Sequence, residues 1–236
     1  MLKEAIILAG GFGTRLRDVV ANLPKPMAPV CDKPFLDYLL NYVKYYGVEK
    51  VVLSVGYLSE KVIAHYGNDF EGLQISYSIE KEPLGTGGGI RLAMEKCIGK
   101  DVLVLNGDSF FDINLNSFYD SHCKSQSDFS LALRKIENAA RYGTVESGKG
   151  KEITGFKEKD GQERPGTINA GVYIVNSVLF LQKTPAEKNF SIEKDFFEKK
   201  ISELKIFGFE QEGYFIDIGI PEDYKRAQHD FKEFNY

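Results

Sequence analysis

The chain has 236 residues, enough for one sizeable domain, and 43% of them are hydrophobic, an ordinary fraction for a globular protein. A formal net charge of -4 gives no support for nucleic-acid or membrane-surface binding, so an anionic substrate would have to be met by locally concentrated cations. Cys31, Cys97 and Cys123 form no C-x-x-C pair and His65, His122 and His229 share no ligand-like spacing, which argues against a disulfide framework or a zinc site and for reduced thiols in a cytoplasmic protein.

The first predicted element is a buried strand, Ala5-Ile6-Ile7-Leu8. The N-terminus runs straight into it without a signal-peptide pattern, and no apolar run approaches the roughly 20 residues of a membrane span. The strand leads into Ala9-Gly10-Gly11-Phe12-Gly13-Thr14-Arg15-Leu16. Three glycines at a strand exit allow a sharp bend and bring backbone N–H groups close to an anion. Arg15 adds a planar fork of donors suited to phosphate oxygens. From Gly11 the sixth position is Leu16, so the dinucleotide fingerprint fails, and no Walker loop is present. Pro24-Lys25-Pro26-Met27 supplies a second basic segment.

Asp32-Lys33-Pro34 reads as a helix start, with Asp32 as N-cap and Phe35, Leu36, Leu39, Leu40 and Val43 turned inward until Gly47. Strands over 51–55 and 75–79 flank a short helix through Val62 and Ile63. The polar run Glu80 to Gly89 opens into a helix carrying Ile90, Leu92, Ala93 and Met94, and the strand Val102 to Leu105 ends at Asn106-Gly107-Asp108. Alternating strands and helices predict a mainly parallel sheet covered on both faces, with ligands outside the carboxyl ends of its strands. The glycine loop, the Glu80 segment and Asp108 all fall at such ends.

Residues 128–175 carry short strand-like runs and turn signals, which suggest hairpins over one edge of the sheet. Asn169 to Val175 is the clearest late strand. A helix around 193–201 and a strand near 205–209 lead to Phe215-Ile216-Asp217, and Pro221 opens a closing helix.

Asp108 after an apolar strand is a candidate Mg²⁺ ligand, and Asp217 a candidate partner; magnesium favours one or two carboxylates completed by substrate phosphates and water. The plainer uses are a turn cap for Asp108 and a lysine pair for Asp217. Two acids, two cations and a glycine loop suggest phosphoryl-type chemistry, which needs alignment and charge neutralisation more than covalent help. A phosphate nucleophile is already ionised and needs no general base, in keeping with the lack of a Ser/His/Asp or Cys/His grouping.

The segments 8–16, 24–27, 83–89, 107–108, 156–159, 169–173 and 217–224 together resemble the nucleotide-sugar pyrophosphorylases, the sugar-1-phosphate nucleotidyltransferases. The runs 23–30, 53–57 and 76–80 narrow the resemblance to the D-glycero-D-manno-heptose 1-phosphate guanylyltransferases. The resemblance implies an α/β fold: a single three-layer Rossmann-like (GT-A type) domain over 1–236 with a mainly parallel central sheet. A nucleotide-binding part would span about 1–110 and a sugar-phosphate-binding part about 111–220, followed by the C-terminal helix. It implies GTP, or another NTP, and a sugar 1-phosphate as substrates, with Mg²⁺ as cofactor.

Position by position, it implies that Leu8, Ala9, Gly10, Gly11, Gly13, Thr14, Gly85 and Thr86 contact the nucleotide, and that Arg15 holds the phosphates that leave as pyrophosphate. Lys25 would offset charge at the α-phosphate, and Asp108 and Asp217 would hold the metal. Lys159 would take the sugar phosphate, with Gly143, Glu158 and Asn169 lining the sugar pocket. The position two before Asp217 is often Trp in the family and is Phe215 here. The family often has Pro after its lysine where this chain has Asp160, which makes Lys157 a second candidate for that role. Glu80 is suited to guanine, whose N1–H and exocyclic amine a carboxylate accepts together; its plainer use is as a solvated member of a Glu-Lys-Glu run.

Three other readings stay open: a mannose-1-phosphate guanylyltransferase or a uridylyl- or thymidylyltransferase, a nucleotide-sugar-sensing regulatory subunit, and a metal-dependent glycosyltransferase. The last would typically carry D-x-D at the strand end, where this chain has Asp108-Ser109-Phe110. The sugar and the oligomeric state, monomer or homo-oligomer, also stay open.

Overall fold

The computed structural model describes residues 1–11, 22–157, 159, 161–232, 234 and 236. Four parallel strands form the middle of the fold: β1 (Glu4–Leu8) lies between β4 (Lys50–Val55) and β7 (Asp101–Asn106), and β6 (Leu73–Ile79) pairs beyond β4. Between β1 and β4 the chain forms a short ribbon, β2 (Pro29–Val30) with β3 (Lys33–Pro34), and helix α1 (Phe35–Tyr45). Helix α2 (Ser59–Tyr66) and the short β5 (Asp69–Phe70) precede β6, and α3 (Gly85–Met94) precedes β7.

The order β6-β4-β1-β7 reverses direction at β1. A crevice therefore opens between the loops that leave β1 and β7, the usual ligand position in an open α/β sheet. The registers Leu8↔Ser54, Leu8↔Asn106 and Val55↔Ile79 bring the four strand ends level at one edge.

After β7 the pairing becomes mostly antiparallel. The chain forms β8 (Ser109–Phe111), α4 (Leu115–Ser125), β9 (Phe129–Ile136), β10 (Thr144–Ser147), β11 (Ile153–Lys157) and the long β12 (Gly166–Asn176). β12 pairs with both β7 and β9, and the β10–β11 hairpin joins it along the same edge. The hairpin thus extends the sheet instead of lying over it, because Thr144 pairs with Ile168 and so continues the ladder.

Helix α5 (Ser177–Lys183) follows, then a π-helical stretch (Ile192–Phe197) running into the single turn α6 (Glu198–Lys200). The helix expected over 193–201 is therefore mostly π-helical. Ser191 starts it: its Oγ accepts from Lys194 N–H and its N–H donates to Asp195 Oδ2. β13 (Ile206–Glu210) pairs parallel with β9, β14 (Phe215–Asp217) pairs antiparallel with β8, and α7 (Pro221–Asp230) closes the fold.

Alternation along the strands divides the core. Ala5, Ile7, Val51 and Leu53 pack with α1, α2, α4 and α7, while Ile6, Val52, Val102 and Val104 pack with α3, α5 and the π-helical stretch. The result is the expected three layers, with both faces of the parallel strands covered.

The inward residues expected for α1 are all buried, and Tyr38 and Tyr42 join them. Asp32, expected as the N-cap, is instead a positive-φ turn residue in the β2–β3 ribbon, and Pro34 occupies the cap position. The ribbon brings Phe35 N–H to Ala28 O, so the helix begins on a backbone partner without a side-chain cap.

Candidate active site

Gly107 shapes the crevice. Its N–H donates to Leu8 O at 3.0 Å, and a methyl group at its Cα would lie 2.3 Å from that oxygen. Only glycine lets β7 exit this close to β1, and the exit delivers Asp108 to the sheet edge. Antiparallel pairing then brings up the second aspartate. Asp217 pairs with Ser109, and Ile218 N–H donates to Asp108 O at 2.9 Å, so the two carboxylates are neighbours although 109 positions separate them in the chain.

The third member is Lys25. Pro24 and Pro26 flank it in a tight 3-10 turn (Lys25–Met27), pinned by Met27 N–H to Pro24 O at 2.8 Å. Pro26 and Met27 are buried and anchor the turn. The Lys25 side chain is 9% exposed, with Nζ 2.6 Å from Asp108 Oδ2 and 3.6 Å from Asp217 Oδ1. A methyl on Gly219 would come within 2.7 Å of both Lys25 Nζ and Asp217 Oδ1, so this glycine keeps the cluster compact.

Two cavities meet at this cluster, and Asn106 and Asp108 line both. The first, of about 310 Å³, is bounded by Leu8, Gly10, Gly11, Lys25, Glu80, Gly85 and Thr86. Ala9 is buried beneath it and donates its N–H to Ser54 O at 2.7 Å. Glu80 is not merely solvated. Ser54 Oγ donates to its Oε1 at 3.1 Å and Leu84 N–H to its Oε2 at 3.0 Å.

The second cavity, of about 330 Å³, lies on the antiparallel side and includes Gly143, Lys157, Lys159, Asn169 and Asp217. The expected sugar-side residues that are described, Gly143, Lys159 and Asn169, therefore share one pocket with both aspartates. Gly143 permits close approach of the hairpin, since a methyl there would lie 2.9 Å from Lys157 O. Lys157, the second candidate for the phosphate lysine, lies on the same wall but pairs with Glu146 at 2.5 Å. Gly13, Thr14, Arg15 and Glu158 lie outside the described residues.

Residues beyond those expected also line the second cavity. Between Asn169 and Tyr173 the ladder of β12 with β9 shifts register, and Gly171 at φ +76° makes the irregularity possible. Asn169 Nδ2 donates to Tyr173 Oη at 2.8 Å and also to Glu193 Oε1, while Asn169 Oδ1 accepts from Gly171 N–H. Burial first, then the Glu193 charge, pushes the Tyr173 hydroxyl well above its usual pKa, so it stays a neutral donor. Burial, with a further contribution from the Asp217 charge, likewise raises Tyr142. Arg141 lines the pocket and pairs with Asp223 Oδ2 at 2.5 Å, tying the wall to the first turn of α7. Its position in a loop without hydrophobic period gave no sequence signal.

The two cavities are laced together. Phe190 N–H donates to Leu84 O, Gly87 N–H to Phe190 O, and Ile192 N–H to Thr86 Oγ1 at 3.1 Å. The first turn of α3, whose Gly85 and Thr86 line the first cavity, is therefore bonded to the stretch that carries Glu193 into the second.

Residues 4–233 match the Nucleotidyl transferase family. Over 231 residues the chain is 46% identical to the D-glycero-alpha-D-manno-heptose 1-phosphate guanylyltransferase of Aneurinibacillus thermoaerophilus, covering 98% of this chain and 99% of that one. The Campylobacter jejuni protein of the same name is 42% identical over 221 residues, covering 94% and 96%. Among solved structures, HddC from Yersinia pseudotuberculosis complexed with GMP-PN superposes with a TM-score of 0.85 at 34% identity, over 98% of this chain and 100% of that one. A putative glucose-1-phosphate thymidylyltransferase from Bacillus anthracis superposes at 0.87 with 19% identity over 100% of this chain and 97% of that one, a likeness of fold. The strand-end crevice is thus found in a chain matched almost from end to end, and that chain belongs to the nucleotidyl transferase family.

Proposed function

We propose that the chain is a sugar-1-phosphate guanylyltransferase that joins GMP from GTP to D-glycero-α-D-manno-heptose 1-phosphate, giving the GDP-sugar and pyrophosphate. The observation that carries the reading is the pair of cavities meeting at Lys25, Asp108 and Asp217, with one cavity for each substrate. The full-length likeness to two guanylyltransferases named for this heptose supports the choice of base and sugar. The nucleotide part spans about residues 1–110 and the sugar-phosphate part about 111–220, in keeping with the change from parallel to antiparallel pairing after β7.

In the reaction, an oxygen of the sugar phosphate attacks the α-phosphorus of GTP. A new P–O bond forms, the α–β bridge breaks, and pyrophosphate departs with the bond's electron pair. The nucleophile is already anionic, so no residue need remove a proton. The protein's task is alignment and neutralisation of charge. Gly10 and Gly11 let the nucleotide lie against the backbone, Gly85 and Thr86 close its far side, and Glu80 accepts from N1–H and the exocyclic amine of guanine. Lys25, held at the junction, offsets the charge that grows on the α-phosphate. Arg15 is assigned the departing phosphates, and Lys159 the phosphate of the sugar. Glu158, Gly143 and Asn169 are assigned to the sugar itself.

The acidic pair fits magnesium. Among the described residues no group of three or more metal-ligating side chains exists, so an all-protein cage is not available. Two carboxylates 40% and 28% exposed, already converging on one cationic nitrogen, suit a hard ion that takes one or two carboxylates and completes its shell from phosphates and water. Asp108 and Asp217 would hold it, and when bound it would supply Lewis-acid polarisation of the phosphate oxygens.

The test is pyrophosphate release from each of GTP, UTP, ATP, CTP and dTTP against a panel of sugar 1-phosphates. Release with GTP and the heptose phosphate supports the reading. Release confined to another base would reassign Glu80, and release confined to mannose 1-phosphate would reassign the sugar.

A further inference from the structure

Glu80 sits in a slot built from three separate segments. Ser54, fully buried at the end of β4, donates its hydroxyl to one carboxylate oxygen, and Leu84 N–H donates to the other. Each oxygen has two lone-pair sites, so each keeps capacity for a ligand in the cavity that Glu80 lines. Glycines wall the slot. A methyl on Gly10 would lie 3.2 Å from Glu80 Oε1; one on Gly89 would lie 2.8 Å from that oxygen and 3.1 Å from Ser54 Oγ.

Gly89 is the unusual member. It is buried within α3 and is not among the positive-φ glycines, so no backbone conformation requires it there. A glycine inside a helix is disfavoured relative to alanine. Its use at this position calls for another reason, and the space taken by the Ser54–Glu80 pair supplies one.

We propose that Ser54 and Gly89 are positioning residues for base choice. Ser54 aims the Glu80 carboxylate, Gly89 leaves room for it, and the aimed carboxylate selects a base with two adjacent donors over one with a single donor. The inference rests on the reading of Glu80 as the guanine acceptor. Guanine offers N1–H and an amine on that edge, whereas hypoxanthine offers N1–H alone, so ITP is the probe that isolates the second hydrogen bond.

The experiment compares kcat/KM for GTP and ITP in the unaltered protein and in Ser54→Ala, Gly89→Ala and Glu80→Gln. Ser54→Ala removes the donor. Gly89→Ala places a methyl against the ends of two side chains, the Glu80 carboxylate and the Ser54 hydroxyl, so these shift rather than the backbone. Each should lower the GTP:ITP ratio by about tenfold, chiefly through a higher KM for GTP, the loss expected for one charge-assisted hydrogen bond. Gly89→Ala should melt no earlier than the unaltered protein, which separates lost discrimination from lost stability. In the Glu80→Gln background, Ser54→Ala should leave the ratio unchanged.

A parallel fall for GTP and ITP would mean a merely structural role and would overturn the proposal. An unchanged ratio in either variant removes that residue from it. If Glu80→Gln itself leaves the ratio untouched, the reading of Glu80 fails and this inference with it. If Glu80→Gln lowers the ratio while Ser54→Ala and Gly89→Ala do not, only the positioning inference fails.

Discussion

Lys25 Nζ donates to Asp108 Oδ2 across 2.6 Å, although the two residues are 83 positions apart and reach the crevice from different elements. The proline-flanked turn delivers the cation, and the glycine-permitted exit of β7 delivers the anion. Their meeting point is where the two cavities join. Replacing Lys25 with Ala should lower kcat for pyrophosphate release by about 100-fold or more, the usual cost of one preorganised charge at a transition state. KM for GTP should change far less. A variant within threefold of the unaltered kcat would remove Lys25 from the chemistry.

The aspartates lead to a metal prediction. Asp108→Asn and Asp217→Asn should each raise the Mg²⁺ concentration for half-maximal activity by about tenfold or more, as one hard ligand is weakened. Chelation of the unaltered protein should abolish turnover, and added Mg²⁺ should restore it. Full activity in excess chelator would contradict the assignment.

In the second cavity, Asn169 is gripped by Tyr173, Glu193 and the Gly171 N–H. Asn169→Ala should raise KM for the sugar 1-phosphate by roughly tenfold, in line with the loss of a hydrogen bond to a hydroxyl, and leave KM for GTP within about twofold. Initial-rate kinetics with each substrate varied in turn would show it. A shift in the GTP constant instead would place Asn169 with the wrong substrate.

A stability prediction follows from the base of the sheet. Glu4 is 6% exposed; burial opposes its charge, but hydrogen bonds from Gly99 and Ile98 N–H and from Lys50 outweigh it and hold its carboxyl below the usual range. A carboxyl depressed on folding stabilises the protein above its unfolded pKa, near 4.3, and loses that contribution as pH falls through the lower folded value. Glu4→Gln should therefore cost about 1–3 kcal/mol at pH 7 and flatten the decline of stability below about pH 4. Denaturant melts at pH 7 and pH 3 would test this; an equal loss at both would contradict it.

The legible parts of the sequence were those with a period or a steric requirement. The continuous apolar runs of β1, β4 and β7 announced parallel strands, and the glycines at their exits announced the edge where ligands gather. Asp108 was visible because it directly follows such a run. The Lys25–Asp108 contact was not, since the resemblance named both residues but no local pattern sets a separation between a proline turn and a strand end. Glu193, Arg141 and Tyr173 were harder still. The π-helical stretch lacks the 3.6-residue repeat by which a helix face is recognised, Arg141 lies in a loop, and Tyr173 reads simply as another apolar strand residue. Asp32 resembles a cap because it is an acidic residue two positions before Pro34, while the β2–β3 ribbon satisfies the helix start through backbone.

Direct transfer between GTP and D-glycero-α-D-manno-heptose 1-phosphate is the reaction proposed for the two cavities that meet at Asp108. It is tested most directly by coupled detection of pyrophosphate and GDP-sugar from that pair with Mg²⁺, beside an Asp108→Asn control. Equimolar pyrophosphate and GDP-heptose are expected, with the rate lowered by about 100-fold or more in the variant. Pyrophosphate without the sugar nucleotide, or an Asp108→Asn rate within about threefold of the unaltered protein at the same Mg²⁺ concentration, would contradict it.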